Sequence, residues 1–331
     1  MSQINELTDN VVLCRAKLSN SIDLKMHVIN LEHLVVNPSM QLADTPKIFG
    51  MQIICQGKCN ADTVDALLVV LKNVKLLRFI EIVGHVPSRV LDAIRMQEHV
   101  TRIRFSKCTK ELTGLRLPKR TAILSFFNCM ITELPTLDIS DLDHLREFYV
   151  LNTNVTSLSN LTRMGCLERM VLRNNKLRTI PPWMGTPSDV PARYEIHDEK
   201  ELTSIPIGLF FENSPTDLVI TGCPNCQFPA SKSGKSNITS VFLSDFAGDR
   251  FPDVIGLLPL VSLTLINCPV LCETAVPTFT ETLSTLRIAG CNRFDPMNLT
   301  NQILRLDNVF IVQTNPRKIM TSLQEIGSMF K

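Results

Sequence analysis

The stretch Leu167–Pro181, LERMVLRNNKLRTIP, decides how the rest of the chain is read. Its apolar residues stand at Leu167, Met170, Leu172, Leu177 and Ile180, with Asn175 among them. An amphipathic helix repeats apolar residues every three or four positions without a break, and a half-buried strand repeats them every two. Met170 and Leu172 fit the strand, but the gap to Leu177 and Ile180 continues neither pattern. The spacing predicts a short strand, a tight turn around Asn175 and a second inward ledge. One copy is a coincidence, so recurrence is what matters.

The pattern recurs. Upstream, Leu145, Phe148, Val150, Thr153, Val155 and Leu158 take the same slots, and before them Leu124, Phe126, Cys129, Ile131 and Leu134. Downstream come Leu218, Ile220, Cys223 and Phe228, then Val241, Leu243, Phe246 and Phe251. Leu260, Leu263, Leu265, Cys268 and Val270 follow, and then Leu283, Leu286, Ile288 and Cys291. Fainter copies begin near Met26, Ile48, Leu77 and Val100, and one runs through Tyr194, Ile196, Leu202 and Ile205 with a residue inserted. Starts at 26, 48, 77, 100, 121, 145, 167, 191, 215, 238, 260 and 283 give steps of 21 to 29 residues.

Written out, the unit is L-x-x-L-x-L-x-x-N/C-x-L-x-x-I-P, and it resembles the leucine-rich repeat, whose period is about 20–29 residues. The resemblance covers roughly Met26 to Val312. It implies an α/β solenoid, a horseshoe with a curved parallel sheet of about 12–13 strands. It also implies a non-catalytic scaffold that binds a protein partner on its concave sheet face.

Within that frame the early repeats are the longest. DTVDALLVVLKN, with Asp62 as cap and Ala66, Leu67, Val70 and Leu71 on one face, reads as a short convex helix, and so does Ser88–Met96. From Thr121 on, the connections carry proline (Leu134-Pro135, Ile180-Pro181-Pro182, Ile205-Pro206, Phe251-Pro252), which predicts extended or single-turn pieces. Leu304, Leu306, Val309 and Ile311 look like a last strand set closer than usual. Asn315-Pro316 then opens a helix with Ile319, Leu323, Ile326 and Phe330 on one face. The expected organisation is an N-terminal cap over 1–25, in which Val11, Val12, Leu13 and Leu18 cover the first ledge. The repeat array occupies 26–312 and a C-terminal capping helix 313–331, all one continuous domain.

Composition narrows the function classes. Apolar residues make up 44% of 331, enough to fill a continuous interior, and Lys+Arg against Asp+Glu is 34 to 32. A net charge of +2 provides no dedicated nucleic-acid or anionic-membrane surface. No run approaches the roughly 18–20 apolar residues of a membrane span. The first residues, MSQINELTDNVVLC, lack the basic start and apolar block of a secretory signal. The expectation is a cytoplasmic protein. A clipped ectodomain of a ligand-sensing membrane receptor would look the same and is the alternative.

Eleven cysteines are the most conspicuous feature. Five of them, Cys108, Cys129, Cys223, Cys268 and Cys291, stand in the slot held by Asn175, which predicts buried reduced thiols bonded to turn carbonyls. Cys223-Pro-Asn-Cys226 has the spacing of a redox pair or half a zinc site. Its nearest companion pair, Cys268/Cys272, lies two repeats away, about 10 Å at 4.8 Å per strand, too far for ligands held at about 2.3 Å. Cys108/Cys129 and Cys268/Cys291 fall in adjacent repeats, so a disulfide in either pair stays open, although the odd total favours thiols. Ser231–Ser236 imitates the end of a phosphate-binding loop, but Pro229 stands where that loop needs glycine. No H-E-x-x-H or G-x-S-x-G occurs, Trp183 reads as convex packing, and neither cofactor nor metal is expected.

The candidate contact surface comes from strand alternation, since the residues between the leucine slots face outward. Through the middle repeats these are Ile123, Ser125 and Phe127; Glu147, Tyr149 and Leu151; Arg169, Val171 and Arg173; and Arg193, Glu195 and His197. Phe127, Tyr149, Leu151 and Val171 form an apolar and aromatic block, flanked by Arg169, Arg173, Arg193, Glu195 and His197. Aromatic residues edged by arginines are what interface centres favour. A second row, Val219, Phe242 and Ile266, is weaker.

Overall fold

Every repeat donates one strand of about five residues, and alternation within that strand sorts its side chains into an inner and an outer set. In the computed structural model this sorting runs through most strands: Met170 and Leu172 are buried while Arg169 and Arg173 are exposed, and Leu218 and Ile220 are buried between three half-buried residues, whereas Val309 on the last strand is exposed. The structure describes residues 11–17, 23–30 and 49–312, except 56, 58, 60, 111, 113–114, 138–142, 160, 162–163, 165, 182–191, 212–213, 231–233, 248–250, 269–278, 292–301 and 303–304. The expected capping helix over 313–331, Trp183, Cys272 and Leu18 lie outside these residues.

The chain divides into two compact units, Met1–Val155 with Asn160–Cys166, and Thr156–Ser159 with Leu167–Lys331. In the first, β1 (Val11–Lys17), β2 (Asp23–Asn30), β3 (Gly50–Cys55), β4 (Phe79–Gly84), β5 (Arg102–Ser106), β6 (Ile123–Phe127) and β7 (Glu147–Leu151) lie side by side in chain order. From β2 onward every neighbour is parallel. The second holds β8 (Arg169–Arg173), β9 (Arg193–His197), β10 (Asp217–Thr221), β11 (Ser240–Ser244), β12 (Ser262–Ile266), β13 (Thr285–Ala289) and β14 (Asn308–Val312), all parallel and again in chain order. This is the α/β solenoid that the repeat implies.

The two expected helices are present. α1 (Ala61–Asn73) buries Val64, Ala66, Leu67 and Leu71, and α2 (Ser88–Arg95) buries Val90 and Ile94. Asp62 sits inside the first turn of α1 rather than before it, where its charge still complements the helix N-terminus. The described connections of the second unit include a 3-10 turn at Ile207–Leu209 and a single helical turn, α3 (Asp253–Gly256), each entered from a proline. Aromatic side chains stack from repeat to repeat inside the units: Phe105 on Phe126 at 5.4 Å, Phe126 edge-on to Phe148 at 6.3 Å, and Phe228 edge-on to Phe246 at 5.1 Å.

Two expectations change in detail. Val11–Lys17 forms β1 and runs antiparallel to β2, which extends the sheet at its edge. The last strand is not set closer than usual. It starts at Asn308, after starts at Ser262 and Thr285, and Val309 and Ile311 fall opposite Leu286 and Ile288 in ordinary register.

The sharpest regularity lies just past each strand. Lys107, Asn128, Asn152, Asn174, Asp198, Gly222, Asp245, Asn267 and Gly290 all have φ between 50° and 66°. A left-handed residue there turns the chain out of the sheet and aims its N–H along the stack. Asn128 donates to the Leu151 carbonyl, Asn174 to His197, Asp198 to Thr221, Gly222 to Ser244, Asp245 to Ile266, Asn267 to Ala289 and Gly290 to Val312, at 2.8 to 3.1 Å. In these coils the last strand carbonyl is thereby bonded to the exit of the coil before it. Asn, Asp and Gly tolerate this conformation, and other residues lose about 1–2 kcal/mol in it. At Gly222 a Cβ would also stand 2.5 Å from Asp198 Oδ1. Gly222→Ala is therefore expected to cost about 2 kcal/mol in urea denaturation, and Lys107→Gly to gain up to about 1 kcal/mol. An unchanged midpoint for Gly222→Ala would contradict this account of the turn.

Candidate functional site

The slot after the left-handed residue points into the interior. Cys108, Cys129, Cys223, Cys268 and Cys291 all occupy it as buried free thiols, as expected. Cys108 Sγ donates to the Gly84 carbonyl at 3.1 Å, Cys223 Sγ to Thr221 at 3.3 Å and Cys268 Sγ to Ile266 at 3.2 Å. Burial pushes the Cys223 thiol up to about 12 and raises that of Cys226 as well. Neither is a thiolate near neutrality, so this C-x-x-C lacks the activated thiol that redox chemistry requires. The one disulfide among the described residues joins Cys55, at the end of β3, to Cys59, just ahead of α1; the sequence reading did not single out that pair.

The same slot holds an unexpected carboxylate. Glu199 stands one coil after Asn175 and is 0% exposed. Its Oε1 accepts from the Asn175 N–H at 3.1 Å and from Asn175 Nδ2 at 2.7 Å, and its Oε2 accepts from the Leu177 N–H at 3.3 Å. Burial raises its carboxyl to about 7; these three donors pull the other way and Asp198 adds to the rise. Placing Asn175 and the residue 24 positions on in one register was the signal that could have found it.

The predicted surface residues fall on the open faces of the two units. In the first, Phe127, Tyr149 and Leu151 are half-buried, as is Glu147, to which the Tyr149 hydroxyl donates. Arg104 lies over the Phe127 ring, 5.8 Å from its centroid. Further along this face Glu81 is buried, and Gln52 Nε2 donates to it at 2.8 Å and Ser106 Oγ at 2.7 Å. The sequence reading did not include those three.

In the second unit three of the other six, Arg169, Arg193 and His197, converge on the carboxylate of a fourth, Glu195. Arg169 reaches Glu195 Oε1 through Nε at 3.0 Å and Nη2 at 2.8 Å, and Arg193 reaches the same oxygen through Nε at 3.1 Å. His197 Nε2 lies 3.2 Å from Glu195 Oε2, and its Nδ1 lies 2.7 Å from Thr221 Oγ1. With Nε2–H donating to the carboxylate, Nδ1 accepts a hydrogen bond from the Thr221 hydroxyl. Burial favours the neutral form of Glu195, but the hydrogen bonds from His197 and Arg169 and the charges of Arg169 and Arg193 outweigh it and hold the carboxyl below its usual value. Arg173 contacts Asp198 at 3.6 Å. Val171 and Glu195, at the centres of their strands, are both buried, so Val171 presents little apolar surface of its own.

Among the described residues no group of three or more His, Cys, Asp or Glu is placed to hold a metal ion, and no helix is long and apolar enough to cross a membrane. No family model and no curated protein matches the chain. Among solved structures, a leucine-rich repeat protein of Leptospira interrogans is similar, with 12% identity over 87% of this chain and 92% of that one, at a TM-score of 0.29. A likeness that slight adds no weight to the parallel register and the repeat, which carry the fold themselves.

The slot carboxylate makes a pH prediction. A folded value near 7 against 4.5 means that the fold holds this proton more tightly than the unfolded chain does. The contribution is whole below pH 4.5, declines as pH rises and is lost above 7. At about 1.4 kcal/mol per unit it amounts to about 3 kcal/mol. The stability difference between the parent and Glu199→Gln should change by that amount between acidic and mildly basic buffers in urea denaturation. A difference independent of pH would contradict it.

Proposed function

We propose that the chain is a non-catalytic scaffold that binds a protein partner on the open face of its sheet. The observation that carries this reading is the state of the side chains on that face. Polar groups there are held by one another, as Arg169, Arg193 and His197 are held by Glu195, and aromatic groups are held as Phe127 is under Arg104. Contacts fixed before binding lose little conformational freedom when a partner arrives, and arginine and tyrosine are the residues that anchor such interfaces. A catalytic reading would need an activated nucleophile, and the C-x-x-C thiols are pushed in the opposite direction.

The buried thiols support a cytoplasmic setting. The Cys55–Cys59 disulfide is the observation that favours the other reading, a ligand-sensing ectodomain.

Capture of partners from a lysate tests the choice of face. Tyr149→Ala and Arg173→Ala are expected to weaken capture about tenfold or more, the loss of one good contact. Val69→Lys on the exposed side of α1 is expected to leave it unchanged. Capture that survives both open-face changes, or that is lost with the α1 change, would overturn this reading.

A further inference from the structure

The open face of the second unit carries arginines at both ends and, among the described strand residues between them, no cation. Its central row runs in register across the strands, from Val171 and Glu195 through Val219, Phe242 and Thr264 to Arg287 on β13 and Phe310 on β14. The residues either side of this row on β11 and β12 are serines and Ile266. Among the described residues the charged side chains here are two carboxylates, Asp217 at the start of β10 and Asp245, which accepts from the Ser244 hydroxyl. Arg287 is exposed, and Phe310 beside it is 60% exposed.

At the β8–β9 end, cations stand out and the balancing anion lies beneath. The Glu195 side chain is 10% exposed, against 53% for Arg193 and 62% for Arg173. Arg193 meets Glu195, and Arg173 meets Asp198, through Nε on the flank of the guanidinium. The Nη1/Nη2 edge, which can grip a carboxylate with two parallel bonds, lies outside those contacts.

Dimensions decide what fits. The three outward positions of a five-residue strand cover about 13 Å at 3.3 Å per residue, close to the 10–12 Å diameter of one α-helix. From Arg193 on β9 to Arg287 on β13 is four strand steps, about 19 Å, which a helix crosses in about 13 residues at 1.5 Å each. An extended peptide would instead add to a sheet edge. A nucleic-acid backbone needs an unbroken basic track, and this face is interrupted by Asp217, Asp245 and a middle without cations.

Taking this face as the contact surface, we infer that its occupant is an acidic amphipathic helix of a partner protein. The helix lies across the strands, with an apolar stripe on Val219, Phe242 and Thr264. Carboxylates about 13 residues apart reach Arg173 and Arg193 at one end and Arg287 at the other.

The test uses the whole protein and a fluorescent helical peptide with a glutamate pair near each end, about 13 residues apart, and a leucine stripe between. Anisotropy should show saturable binding that weakens with salt, and that falls about tenfold or more when the glutamates become glutamines. Arg287→Glu should weaken binding about tenfold, and Arg173→Glu with Arg193→Glu by more. The milder Arg173→Gln and Arg287→Gln pair should give the same ranking if a charge reversal disturbs folding, which circular dichroism reports. No binding, equal binding to the glutamine peptide or the reversed variants, or tighter binding of a single-stranded oligonucleotide would each overturn the inference. If lysate capture depends on the open face while the peptide fails, only the helix inference falls. If capture ignores every open-face change, the reading it rests on falls too.

Discussion

One hydrogen bond, repeated, holds coil to coil. At eight strand exits the N–H of a left-handed residue reaches the last strand carbonyl of the next coil, as Asn174 reaches His197 and Gly290 reaches Val312. Because the same residue turns the chain out of the sheet, a single backbone conformation both ends the strand and joins it to its neighbour. Parallel strands have no hairpin to set their register, so something at the strand ends must set it. Here the exit residues do so, and the leucine, phenylalanine and valine ledges fall into line behind them.

That constraint explains the composition of the turn. Position by position it admits Asn, Asp or Gly, with Lys107 the single departure among the nine coils. The next residue must then point inward, where it meets the carbonyls of the turn. Thiols fill that slot in five coils, Asn175 fills it in one, and Glu199 fills it with a carboxylate bonded back to Asn175 and Leu177. The interior thus tolerates a small apolar donor, an amide or a bonded acid, provided that the turn carbonyls and N–H groups are satisfied.

Much of this was legible in the chain. Leucine spacing located the strands, α1 and α2 were readable from their helical periodicity, and the slot thiols followed from the alignment of Cys223 with Asn175. The exit residue was not read, although Asn128, Asn152, Asn174, Asp198 and Asn267 are all in plain view. The repeat formula treats that position as free, because its role lies in a backbone angle and not in side-chain polarity. Glu199 escaped because an acid contradicts the pattern, and only partners on the neighbouring coil make it admissible. On the face, alternation identified which strand positions turn outward but not their mutual bonding or their burial, as Val171 and Glu195 show. Which side chain covers which depends on rotamers, and these are not written in strand periodicity.

Buried thiols and a buried acid are committed to the interior, and the residues of the outward row are left on the open face. Stacking places them at fixed intervals, which turns a list of residues into a surface with a measurable pitch.

Native-state amide hydrogen exchange tests the central claim most directly. The amides of Asn128, Asn174, Asp198, Gly222, Asp245, Asn267 and Gly290 sit in turns, where exchange is ordinarily fast. If each is bonded to the next coil, they are protected to the same degree as the strand amides beside them. Exchange at the rate of open loops, with the strands still protected, would show that the coils are joined in some other way.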